Sequence, residues 1–365
     1  MIEDLYTLLR LGLGTENADS SEIVRIRSMS MDEFLALFDL AEEQCVLAIA
    51  FDGLLNSSGV SDSPCALEYP ENKAVMRSLF AKQFNYEKTN REQIMVLNKI
   101  SHSWSAAGCR GVLMKGQANS LLYPVPGHRA CGDIDVYMLD DNYELGNTVA
   151  AESGARVSTH WYKHSQIHYC GQMIENHRYF VHTRDGKRGK ELDRRLRELV
   201  SSDTYSFYPD TEICLPPAQF NALFLTYHAF AHFISEGIKL KQILDWAMFL
   251  KSEYHNVDWN AFYADCDRFH LRRFADVMND IAVNIFGVSI PDGTVCTVSP
   301  YTAKVLDSAL HDKDYVFSSG KSGLANRLHL VGNMFKYRWK YRDIYQDSVL
   351  KQLYYYVSGY LFHTE

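Results

Sequence analysis

The sequence predicts an α+β fold, a small mixed β-sheet core flanked by N-terminal and C-terminal helical regions. Two observations carry this. Between residues 86 and 190, short apolar runs and alternating segments have the period of strands. On either side, apolar residues recur at the helical period. A third observation is size: 365 residues, 47% of them hydrophobic, are enough for two or three core-forming units. The expected division is a helical region at 1–85, an α/β core at 86–190 and a helical domain at 191–365.

The elements follow in order. Met31 to Ala50 carries Phe34, Leu37, Phe38 and Leu40 at helical spacing, with Ser30 as its cap. Asn56 to Pro70 gathers Asn, Ser, Gly, Asp and Pro and reads as a loop. Thr89-Asn90-Arg91-Glu92 has the capping-box pattern, which predicts a helix start ahead of Ile94, Leu97, Ile100 and Trp104. Val112-Leu113-Met114 is a short buried strand broken by Gly116, and Ala118 to Tyr123 a short helix. Tyr123 to Gly127 is a turn, Asp133 to Met138 a strand, and Asn142 to Ser153 a helix stopped at Gly154. Ser165 to Tyr169 and Gln172 to Val181 form a hairpin about Cys170-Gly171. Helices return over Ala218–Ile234 and Leu240–Leu250, a loop spans Gly287–Pro300, and the aromatic-rich tail from Asn326 to Phe362 reads as helical.

Composition removes several function classes. A net charge of -8 speaks against a protein that coats nucleic acid, because phosphate binding needs a basic surface. The acidic start Met1-Ile2-Glu3-Asp4 is unlike a secretory signal. The most apolar stretch, Cys45 to Leu55, is interrupted by Asp52 and Gly53 and is too short to span a membrane. The eight cysteines lie far apart without a Cys-x-x-Cys pair, so a zinc ribbon and a thioredoxin motif are excluded. Free thiols in the cytoplasm are the expectation.

The chemistry is carried by Gly132-Asp133-Ile134-Asp135-Val136-Tyr137-Met138. Side chains alternate along a strand, so Ile134, Val136 and Met138 face the core, while Asp133, Asp135 and Tyr137 share the other face. Carboxylates at i and i+2 stand about 7 Å apart at Cα and converge on one divalent cation. Such a pair repels itself unless a cation neutralises it, and magnesium takes oxygen ligands while keeping positions for phosphates. A solvated strand face is the bland alternative. Asp is a poor strand former, however, so two beside an apolar core face call for a reason.

The order Leu113-Met114-Lys115-Gly116, Tyr123-Pro124, Arg129, Gly132-Asp133-Ile134-Asp135 and Ile174-Glu175-Asn176-His177 resembles an uncharacterised nucleotidyltransferase family of the DNA polymerase β superfold. The similarity runs from about Glu92 to His177 and continues more weakly through His228 to Asp245. The resemblance implies that Asp133, Asp135 and Glu175 form a catalytic carboxylate triad holding Mg2+ or Mn2+. It also implies that Lys115, Gly116, Arg129 and Gly132 meet a nucleoside triphosphate such as ATP. His177, His228, His232 and Asp245 become candidates for the acceptor side. Many enzymes of the superfold have Gly-Ser after the first strand, where this chain has Gly116-Gln117. Plainer readings stand beside these: Lys115 as a surface residue at a strand end, Arg129 as an ion-pair partner that orients one of the aspartates.

Weaker signals remain. His228 and His232 share a helix face, which suits a metal, yet aromatic-flanked helical histidines more often pack in a core or line a cleft. His160, His164 and His168 recur every four residues, a spacing that aligns only on a helix, whereas Ser165–Tyr169 reads as strand, which argues against a zinc cluster and leaves the acceptor side as their other reading. Lys336 to Arg342 alternates basic and aromatic residues. It reads as an amphipathic helix burying Phe335, Trp339 and Tyr345 ahead of an RNA contact or a membrane-surface helix. Two rival functions stay open. One is a glycosyltransferase using an Asp-x-Asp metal site, which normally has a βαβ unit before the motif. The other is an inactive nucleotidyltransferase fold that serves as a binding module. The acceptor, whether small molecule, sugar, RNA or protein, is not legible.

Overall fold

In the computed structural model the alternating segments become one five-stranded mixed sheet between helical layers. It describes residues 1–15, 19–57, 72–181, 186–202, 204–235, 237–291, 295–312 and 331–362, with side chains as far as residue 355. Four helices come first: α1 (Ile2–Leu13), α2 (Ser20–Arg27), α3 (Met31–Glu43) and α4 (Leu47–Ser57). Ser30 caps α3 as expected, in a full capping box with Glu33. α1 and α4 cross closely at Gly12 and Gly53. A Cβ on either would run into the other helix's backbone, at the Ile49 and Leu8 carbonyls respectively. The loop expected over Asn56–Pro70 lies outside the described residues beyond Ser57, which still belongs to α4.

One expectation fails here. The Thr89–Glu92 signal does not start a helix; α5 runs unbroken from Lys73 to Ala106. A capping box is a local pattern, and inside a longer helix the same residues simply lie on its surface. Asn90 is instead buried and tied to Gln117.

The sheet holds β1 (Gly111–Met114), β2 (Ile134–Met138), β3 (Arg156–Ser158), β4 (His164–Tyr169) and β5 (Gln172–His177), in the order β1-β2-β5-β4-β3. β2 pairs antiparallel with β1 and parallel with β5, and the rest is antiparallel. The short α6 (Gly116–Ser120) follows β1, and α7 (Tyr143–Glu152) follows β2. Cys170 and Gly171, at φ 48° and 81°, make the left-handed turn of the β4–β5 hairpin.

Alternation sorts the faces as the sequence predicted. Leu113, Ile134, Val136, Met138, Ile167 and Ile174 pack with Leu97, Ile100 and Trp104 of α5 and Val149 of α7. Tyr137 points to the opposite side and joins a larger apolar cluster with Phe180, Phe220 and Phe224. That cluster also takes in Leu5 and Phe51 from the N-terminal helices and Phe262 and Phe274 from the C-terminal ones. The later helices are α8 (Lys187–Val200), α9 (Ala218–Ser235), α10 (Leu240–Glu253), α11 (Trp259–Phe269), α12 (Arg272–Asp280) and α13 (Thr302–His311), with a last helix at Val349–Phe362. Among the described residues no helix is long and apolar enough to cross a membrane.

The basic-aromatic segment departs from its expected pattern. Phe335 is exposed, whereas Lys340 is fully buried, its Nζ 3.0 Å from the Phe233 carbonyl and 2.9 Å from Asp312 Oδ2. A π-helical turn over Lys340–Tyr345 breaks the α-helical spacing and rotates Lys340 inward. Trp339 and Tyr345 pack against the core.

Candidate functional site

Strand register assembles the site. Asp135 is the direct partner of Glu175 across the parallel pair β2–β5, and Tyr137 the partner of His177. On the other side of β5, His164 lies opposite His177 and Gln166 opposite Glu175. One sheet face therefore presents Asp135, Glu175, His177 and His164 side by side. β1 ends at Met114, opposite Asp135, so the next residue, Lys115, stands beside that carboxylate.

Asp135 is the hub. Its Oδ1 lies 2.9 Å from Lys115 Nζ and 2.8 Å from His177 Nε2, while Oδ2 carries no hydrogen bond among the described residues. Burial alone would raise its pKa, but the charge of Lys115 and the His177 hydrogen bond outweigh burial and hold it well below the usual carboxylate range. Glu175 splits its oxygens, Oε1 at 3.3 Å from His164 Nε2 and Oε2 at 3.3 Å from His177 Nε2. Asp133 precedes β2 and is an exposed residue. Its carboxyl is nonetheless pushed up, first by partial desolvation and then by the charges of Glu175 and Asp135, with Lys115 and Lys241 opposing. A proton or a cation relieves such crowding equally well, so this donor set suits a divalent ion.

Lys115 is held in an unusual backbone conformation, φ 49° and ψ −135°, a region that L-residues rarely enter. Gly116 follows, and a Cβ there would lie 3.5 Å from the Asp133 carbonyl and 3.8 Å from Arg129. Both are ordinary van der Waals distances, so the sharp turn after β1 rests on the backbone of Lys115 and not on the missing side chain of Gly116. Gln117 is buried and faces away from the carboxylates. It accepts from Asn90 at 2.9 Å and donates to Gln93, which in turn donates to the Gly132 carbonyl at 2.5 Å. Where a serine would be free to meet phosphate, this chain has a glutamine that ties the Gly132 loop to α5.

A family model described as Uncharacterised nucleotidyltransferase matches residues 31–287, more than half of the chain. The chain belongs to that family. No match was found among curated proteins or solved structures.

In this nucleotidyltransferase chain the remaining sequence candidates divide. Arg129 does not pair with Asp133 or Asp135; it meets Asp245 on α10, Nε to Oδ1 at 3.0 Å and NH2 to Oδ2 at 2.6 Å, with both side chains buried. Tyr123 donates to the same Oδ1 at 2.8 Å, and Arg129 NH1 donates to the Ala130 carbonyl at 3.2 Å. The pair clamps the loop before Asp133 onto the helical layer and engages both oxygens of Asp245. His228 and His232 stack edge to face on α9, ring centroids 4.6 Å apart. Burial, with the charge of Lys115 next, pushes the His228 imidazole well below its ordinary range, so it is neutral. The charges of Lys115, Lys163 and Asp135 all act on it.

Three features escaped sequence reasoning. Lys163, just before β4, has its pKa pushed down to about 8 by burial and by Lys115, against the pull of Asp135 and Glu175. Lys241 on α10, lowered by burial and by Arg129, acts on Asp133. Neither lysine side chain has a hydrogen bond among the described residues. The third is the partnership of His164, which sequence reasoning weighed only with His160 and His168. Among the described residues, the group whose ligand atoms all lie within 4.8 Å of one another is His164, Glu175 and His177, not the triad of acids. Starting the strand at His164 rather than Ser165, and pairing it with β5, is the signal that would have found it.

Proposed function

We propose that this chain transfers a nucleoside monophosphate from a nucleoside triphosphate to a hydroxyl acceptor, with Mg2+ or Mn2+ held by Asp133, Asp135 and Glu175. The observation that carries the reading is the in-register pairing of Asp135 with Glu175, with Asp133 two residues before and Lys115, Lys163 and Lys241 around them. Family membership supports the reaction class. When bound, the cations supply charge stabilisation for phosphoryl oxygens and acidify a ligated hydroxyl.

The acceptor oxygen forms a bond to the α-phosphorus as the bond from that phosphorus to the bridging oxygen breaks, and pyrophosphate leaves. The acceptor proton passes to Glu175. Lys115, Lys163 and Lys241 draw the polyphosphate in, and Gly116 permits close backbone approach. His177 orients Asp135 by its 2.8 Å hydrogen bond, which leaves Oδ2 for a ligand. Arg129, engaged by Asp245, contributes by holding the loop. The unpaired cysteines among the described residues favour a cytoplasmic setting.

Against the glycosyltransferase rival, the only strand before Asp133 among the described residues is β1, antiparallel to β2, in place of a βαβ unit. Incubation with Mg2+, cell extract and triphosphates labelled at the α-phosphate tests the proposal. Incorporation of that label into an acceptor supports it. Incorporation from a sugar-labelled nucleotide sugar alone would favour the rival, and none from either the inactive binding module.

A further inference from the structure

We propose that His164, Glu175 and His177 form a site for a divalent transition metal of the Zn2+ or Co2+ class. The site shares Glu175 with the proposed catalytic set but does not depend on nucleotidyl transfer.

Three observations converge. First, the two imidazole Nε2 atoms approach different oxygens of one carboxylate, each at 3.3 Å. Charge-assisted hydrogen bonds between nitrogen and carboxylate are shorter, about 2.7–2.9 Å. Two ligands about 2.0–2.1 Å from a tetrahedral ion stand roughly 3.3 Å apart, so the spacing is that of ligands around a metal. Second, Nε2 is the only ring atom of either histidine with a polar partner. Nδ1 of both is buried without one, so whatever sits at Nε2 decides how the rings are held. Third, the scaffold is rigid. His164 and His177 are direct partners across the β4–β5 hairpin, with ring centroids 5.3 Å apart, and His177 is 2% exposed.

The donor set decides the class of metal. Imidazole nitrogen suits zinc and the later first-row metals, whereas magnesium and manganese favour oxygen donors. Two imidazoles and Glu175 give two nitrogen donors and one carboxylate, and the 2.8 Å hydrogen bond from His177 Nε2 to Asp135 Oδ1 is one that metal binding replaces. Metal binding requires each Nε2 to be free of its proton, so the Nε2–H tautomer gives way to the Nδ1–H tautomer.

The test titrates the untagged, chelator-stripped full chain with Co2+ and follows visible ligand-field absorption. One equivalent is expected to bind, displaced by Zn2+ and not by equimolar Mg2+. His164→Asn should weaken it by about tenfold or more, whereas Asp133→Asn should leave Co2+ affinity unchanged while removing nucleotidyl transfer. Because a histidine variant can fail to fold, Co2+-loaded wild type is also examined by proton NMR, where paramagnetically shifted imidazole resonances are expected. Co2+ affinity no better than that for Mg2+, equal affinity in a folded His164→Asn variant, or an absence of shifted imidazole resonances would each overturn the site. A Co2+ site present without transfer activity overturns the proposed function alone.

Discussion

Arg129 and Asp245, 116 residues apart in sequence, form a buried two-pronged ion pair, Nε to Oδ1 at 3.0 Å and NH2 to Oδ2 at 2.6 Å. Removing one partner strands the other charge in the interior, a loss of about 3–5 kcal/mol. Asp245→Asn should therefore lower the unfolding free energy by that order in urea titration. Replacing both residues by apolar ones of similar size should recover most of it. An Asp245→Asn protein as stable as wild type would mean that the pair does not clamp the loop.

Lys115 offers a cleaner backbone test. Both Lys115→Ala and Lys115→Gly remove the cation from Asp135, but only glycine tolerates φ 49° with ψ −135° at no cost. The glycine variant should be the more stable by about 1–2 kcal/mol. Equal denaturation midpoints would remove the argument that this residue is held under strain.

Lys163 predicts pH dependence of both stability and activity. Its pKa falls on folding from the ordinary 10.5 to about 8, so between those values the unfolded chain binds more protons than the native one. Stability from this group therefore rises with pH from about 8 to 10.5; below 8 the cost of burying the charge is paid in full. Activity should move the other way. As Lys163 loses its charge above pH 8, its attraction for polyphosphate goes, and kcat/KM should decline through that range. Lys163→Arg keeps the charge and should move the decline to higher pH. An unchanged profile in that variant would assign the limb to another group.

Much of the site was legible because strands report their faces locally. Ile134, Val136 and Met138 declared the core side, and the Cys170-Gly171 turn fixed the hairpin that carries Glu175 and His177. What was not legible needed register or distance. The Arg129–Asp245 clamp joins a loop to a helix far along the chain, and nothing near either residue signals the other. His164 shares a face with Glu175 only through cross-strand pairing, and its four-residue spacing from His160 and His168 pointed elsewhere. Lys163 and Lys241 read as ordinary surface lysines in the sequence, and only the fold brings them, half-buried, near the carboxylates. Thr89–Glu92 misled because a capping pattern is identical at a helix start and within a helix.

The central claim is that the Asp133–Asp135–Glu175 face performs nucleotidyl transfer. Asp133 is the position to change, because it is exposed and makes no side-chain hydrogen bond among the described residues, so Asp133→Asn should leave the fold intact. The decisive measurement follows α-phosphate label from a nucleoside triphosphate into acceptor, in wild type and in Asp133→Asn, with circular dichroism showing equal folding. Transfer by wild type and none above background by the variant is the predicted result; equal transfer by both would contradict it.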